Sequence, residues 1–117
     1  MTMTPVFSRA LVQDLLHGAQ ATPEQSRLGL IRGSDFQSAR VEWLPAAPQS
    51  SALDASVLAT LVTHPDSPPE PNAEDLQLPR PPSGWLIIAS LNTKGVLEMR
   101  AFTPDSTDPA GLPIRLF

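Results

Sequence analysis

Apolar positions along the chain follow two periodicities, one helical near the start and one strand-like further on. Leu11, Val12, Leu15, Leu16 and Ala19 recur with the three-and-four spacing of a single helix face. Thr4-Pro5 ahead of them reads as a helix start, a hydroxyl cap followed by proline at the first helical position. Gly18, with Pro23 a few residues beyond, reads as the helix stop, although Ala19 argues for one more turn. Leu28 to Ile31 is then a short apolar run, and Gly33-Ser34-Asp35 reads as a turn. The segment Ala39 to Leu44 partly alternates, with Val41 and Trp43 facing one way. These two segments predict a hairpin.

Pro45 to Ser51 reads as a loop. Leu53 to Thr63 is mixed: its first half suits a helical turn, and Leu58 to Val62 suits a buried strand. Half of the fourteen prolines lie between Pro65 and Pro82, which leaves little room for regular structure there. Trp85 to Leu91, apolar apart from Ser90, is the strongest core-strand candidate. Asn92-Thr93-Lys94-Gly95 turns it into Val96–Phe102 as a second hairpin. The stretch from Thr103 to Gly111 is polar, and Leu112–Phe117 is a candidate edge strand. No internal repeat is present. The predicted order is helix, two strands, a mixed segment, a long loop, then two or three strands.

Length and composition narrow the class. A chain of 117 residues suits one domain. It can bury about 65% of its unfolded surface, enough for a core without staples. With no cysteine, disulfides, Cys-based zinc clusters and thiol nucleophiles are excluded. The net charge is −4 and Lys94 is the only lysine, which argues against nucleic acid as a partner. Met1 to Arg9 lacks the basic and apolar regions of a signal peptide, and Trp85–Leu91 is far too short to span a bilayer. The expectation is a cytoplasmic protein with no membrane contact.

The chemistry concentrates in one segment, His64-Pro65-Asp66-Ser67-Pro68-Pro69-Glu70-Pro71-Asn72-Ala73-Glu74-Asp75. It resembles the signature of the JAMM (JAB/MPN metalloenzyme) family, H-x-H-P followed by six residues and then S-x-x-D. Upstream, Leu16-His17-Gly18-Ala19, Pro23-Glu24 and Leu28 to Gly33 resemble that family's first helix and first strand. Trp85–Leu91 and Val96–Phe102 fall where the family has its next two strands. The resemblance implies an α/β fold, a mixed β-sheet flanked by helices with cytidine-deaminase-like layering. It implies a single domain over 1–117 with a proline-rich loop at 64–84.

In active members of the family two His and one Asp hold zinc, and a water fills the fourth position. A Glu near the first strand is the general base, and the signature Ser stabilises the developing oxyanion. Carried over, His64 stands at the second His and Asp75 at the Asp, as remnant metal ligands. Val62 replaces the first His, Ser26 stands at the Glu position and Asn72 at the Ser position. Val62 cannot coordinate a metal, Ser26 is no base near neutral pH, and Asn72 retains a hydrogen-bond donor. No catalytic residue and no cofactor are therefore expected, with zinc the metal if the site functions.

The plainer readings are that His64 is hydrogen-bonded in a loop and that Asp75 caps a short turn. Glu24 lies two residues before Ser26, a strand displacement of about 6.6 Å that argues against it as a substitute base. His17 reads as a partly exposed helix residue, and Trp43 and Trp85 as core or partner-facing residues. Glu70, Glu74 and Asp75 keep a proline loop solvated. No G-x-S-x-G motif supports a Ser-His-Asp site, and no Gly-rich phosphate loop is present.

The function expected is a non-catalytic JAB/MPN-like module that binds or scaffolds a protein partner, either ubiquitin-like or an active JAMM homologue. The alternative is a divergent zinc-dependent isopeptidase or metallopeptidase acting on the tail of a ubiquitin-like or sulfur-carrier protein. A third reading is a structural part of a larger assembly. The proline-rich stretch after Asp75 stands where active members usually have a helix.

Overall fold

A computed structural model describes residues 6–21, 26–44, 53, 56–65, 75, 77–81, 84–91, 98–102, 112–113 and 115–116. The elements are β1 (Val6–Phe7), α1 (Arg9–Ala21), β2 (Leu28–Arg32), β3 (Arg40–Leu44), β4 (Val57–His64), β5 (Trp85–Ser90), β6 (Glu98–Phe102), β7 (Leu112–Pro113) and β8 (Arg115–Leu116). Six strands form one sheet in the order β3-β2-β4-β5-β6-β7. All its neighbours are antiparallel except β4 and β5, which run parallel, so the sheet is mixed. β1 and β8 form a separate parallel pair.

Both predicted hairpins are present, β2 with β3 and β5 with β6. The mixed segment resolves into β4, with Leu58 to Val62 inside it. β4 lies in the sheet interior and is apolar at five of its eight positions, as suits a strand covered on both faces. Leu112–Pro113 does add an edge strand, on β6. The predicted turn at 92–95 and the loop at 45–51 lie outside the described residues.

The helix differs from its sequence reading at both ends. It begins after Ser8, whose Oγ accepts a hydrogen bond from Leu11 N at 3.1 Å, so Ser8 is the N-cap. The Thr4-Pro5 pair read as its start lies outside the described residues, and Val6–Phe7 is a strand that the pattern did not predict. The helix also runs through Gly18 to Ala21. Gly18 is there for closeness, because it is buried under the Trp43 ring of β3 and a Cβ would overlap that ring.

α1 covers one face of the sheet. Leu11 and Leu15, fully buried, meet Ile31, Ala59, Leu61, Ile87, Ala89 and Ala101 there. Trp43 packs at the helix end, with the Arg27 guanidinium 4.6 Å from its ring centroid. Arg27 Nη1 donates to Gly18 O at 2.8 Å, so one cation binds the ring and a helix carbonyl. Trp43 is therefore a packing residue. Trp85 meets Phe36 edge-on, and Phe36 stacks on Phe7 with centroids 5.1 Å apart. No helix among the described residues is long and apolar enough to cross a membrane.

Candidate functional site

The opposite face of the sheet holds the signature residues. Side chains alternate along a strand, so Thr60, Val62 and His64 of β4 share this face. Directly opposed residues point the same way, which extends each position into a row across strands. One row is Leu44, Leu28, Val62, Ile88 and Arg100, almost entirely apolar. The next, at the end of β4, is polar: His64 is paired with Ser90 of β5, and Ser90 with Glu98 of β6.

Residues beyond β2 continue the ladder to this row. Thr63 N donates to Arg27 O at 2.9 Å, and Arg27 N donates to Thr63 Oγ1 at 2.7 Å. Ser26 then sits at the rim, exposed, and its Oγ donates to Thr63 O at 2.6 Å. The hydroxyl at the family's Glu position is thus engaged with the backbone. On the other side Leu91 N donates to His64 O at 3.0 Å.

His64 and Asp75 come together as the spacing implies. His64 Nε2 and Asp75 Oδ2 are hydrogen-bonded at 2.7 Å, and their side chains are only 6% and 7% exposed. Two plainer sequence readings are corrected here. His64 is the last residue of a strand and not a loop residue, so the proline-rich connection begins at Pro65. Asp75 does not keep a loop solvated; its carboxylate is buried against His64, and its backbone O accepts from Leu78 N at 3.2 Å.

Val62, at the first His position, is 2% exposed and packs with Leu86, Ile88 and Phe102, with Leu28 and Leu78 against them. Asn72, Glu24, Glu70 and Glu74 lie outside the described residues. His17 is exposed on α1, which covers the far face. Ser90 and Glu98 were missed by sequence reasoning. A signal for Ser90 existed, as the lone polar residue in the apolar run of β5.

A catalytic zinc takes three protein ligands. The described residues offer two donors, His64 Nε2 and Asp75 Oδ2, and these are bonded to each other. No group of three His, Cys, Asp or Glu side chains converges among the described residues, and the valine closes the third position with hydrocarbon. This donor set does not fit the zinc of the active enzymes.

No protein family and no curated protein matches the chain by sequence. Solved structures match over nearly its whole length. A JAB1/MPN domain protein from Archaeoglobus fulgidus aligns with TM-score 0.68 and 18% identity, covering 97% of this chain and 98% of that one. A structure described as JAMM, a metalloprotease-like zinc site in the proteasome and signalosome, aligns with TM-score 0.65 and 18% identity over 99% of each chain. A protein from Salinibacter ruber solved in solution aligns with TM-score 0.55 and 22% identity, covering 97% and 92%. At such identities the likeness is one of fold: a mixed sheet with a helix on one face, a JAMM/MPN-like fold.

Proposed function

We propose that this chain is a non-catalytic JAMM/MPN-like module whose work is to bind a protein partner. One observation carries the reading. Val62 fills the first ligand position with a buried apolar side chain, while His64 and Asp75 satisfy each other. The side chain at the Glu position, Ser26, supports it, since its hydroxyl is held by Thr63 O and has no basic lone pair to offer near neutral pH. The frame is kept and the chemistry is lost, which suits a protein that holds a partner without cutting it. The partner classes that fit the fold are a ubiquitin-like protein, engaged by its extended tail, and an active JAMM homologue.

The test is to incubate the purified protein with zinc and a ubiquitin-like fusion, and to measure its affinity for the same fusion by calorimetry. Binding without cleavage is the expected result. Zinc-dependent cleavage would overturn the proposal and favour the second reading, a divergent metallopeptidase. That reading draws on the adjacency of His64 and Asp75, and needs a third ligand from elsewhere, such as a second subunit.

A further inference from the structure

The connection from β4 to β5 has to cross the sheet, because the two strands are parallel neighbours. Its described part, 75 and 77–81, does so over the face that carries Thr60, Val62 and His64. Each of those three positions meets it. Asp75 bonds His64 at 2.7 Å, Leu78 packs on the cluster that contains Val62, and Pro79 O accepts from Thr60 Oγ1 at 2.7 Å. As the segment advances from 75 to 79, its contacts retreat along β4 from 64 to 60. It therefore lies antiparallel along β4, as a strap.

The lower end of the strap is closed as well. Gly84 N donates to Pro81 O at 2.8 Å, and Arg80 Nη1 approaches Gly84 O at 3.4 Å. Gly84 takes φ 78°, a conformation that favours glycine, and leads directly into Trp85 of β5. Prolines at 79 and 81 keep the strap from coiling into a helix.

We infer that the His64–Asp75 hydrogen bond is a metal-free clasp that fastens this strap to the sheet. In a zinc site of this fold the ion would join the end of β4 to the segment beyond the signature. Here one hydrogen bond between buried groups makes that join directly. The pair left behind by the missing ligand is thus a working structural part, and the strap covers the strand face that bears the signature positions. The clasp does not depend on which partner the module binds.

Amide hydrogen exchange on the full chain tests it. The probes are Leu78 N–H, bonded to Asp75 O, and Gly84 N–H, bonded to Pro81 O; Leu61 in β4 serves as the global reference. In His64→Gln and Asp75→Asn, exchange at Leu78 is expected to accelerate roughly tenfold or more while Leu61 is unchanged. In a His64→Leu/Asp75→Leu double variant the acceleration should be smaller than in either single leucine variant, because the pair is removed together and neither member is buried without the other. In the wild-type protein, neither zinc nor a chelator should alter exchange at Leu78, a measurement that needs no variant. Unchanged Leu78 exchange in both conservative variants would overturn the clasp. So would protection that rises with zinc and falls with the chelator, which would make the pair a metal site. Binding of a fusion protein, or its absence, bears on the proposed function and leaves this result untouched.

Discussion

Gly18 of α1 lies against the ring of Trp43 so closely that no other residue fits between helix and sheet. This contact fixes the helix C-terminal half over β3, and Arg27 reinforces it by touching both partners. In an exposed helix, replacing glycine with alanine gains up to about 1 kcal/mol. Here the sign should reverse. Gly18→Ala is expected to lose about 1–3 kcal/mol through overpacking, measured by urea denaturation. Adding Trp43→Leu to Gly18→Ala should recover part of that loss. A Gly18→Ala protein as stable as wild type would show that the helix can lift off β3 freely.

Ser8 caps α1 through its hydroxyl on Leu11 N. Ser8→Ala should cost about 1 kcal/mol, and Ser8→Gly only a few tenths. Thermal melts of the two variants check this. Equal stability of Ser8→Ala and wild type would show that the Ser8 hydroxyl contributes nothing as a cap.

Val62 and His64 share one face of β4, with Asp75 bonded to the second of them. Val62→His should therefore complete a three-ligand set and confer zinc affinity of roughly micromolar or tighter. The wild-type protein should remain metal-free under the same dialysis. Metal analysis and calorimetry decide the matter. A variant that takes up no zinc would show that the site lacks more than one donor.

Asp35 accepts from Ser38 N at 2.8 Å and Ser38 Oγ at 3.0 Å in the turn between β2 and β3. Those two bonds hold its carboxyl below its ordinary value of 3.8, the backbone one most strongly. A lowered folded-state pKa means stabilisation that is fully present above the unfolded value. It is lost as pH falls through the folded one. Asp35→Ala should accordingly be less stable than wild type near neutral pH, with the gap closing below pH 3.8. A gap that persists unchanged into strong acid would mean that the carboxylate's charge plays no part.

Much of the sheet was legible because strand signals are local. Alternation in 39–44 and the apolar run at Trp85 both depend on neighbours in sequence, and both hairpins followed from them. The His64–Asp75 pairing was legible for another reason: the signature spacing of a known fold brings those residues together. What stayed hidden depends on distant partners. Gly18 carries a stop signal in sequence and is a packing residue in space, because Trp43 comes from a strand far along the chain. Val6–Phe7 is too short to show a period, and it is a strand only because β8 pairs with it. Ser90 and Glu98 join the site through register across three strands, which no single segment encodes.

The β1–β8 pair has a kinetic consequence. Val6 meets Arg115 and Phe7 meets Leu116, residues separated by almost the whole chain, so this contact closes the largest loop available. Closing such a loop carries the highest entropy, and only two residues from each side repay it. The pair is expected to form after the central sheet has brought its ends together, and to be the first to open on unfolding. Phe7, fully buried among the α1 contacts, is the anchor that holds the late strand in place.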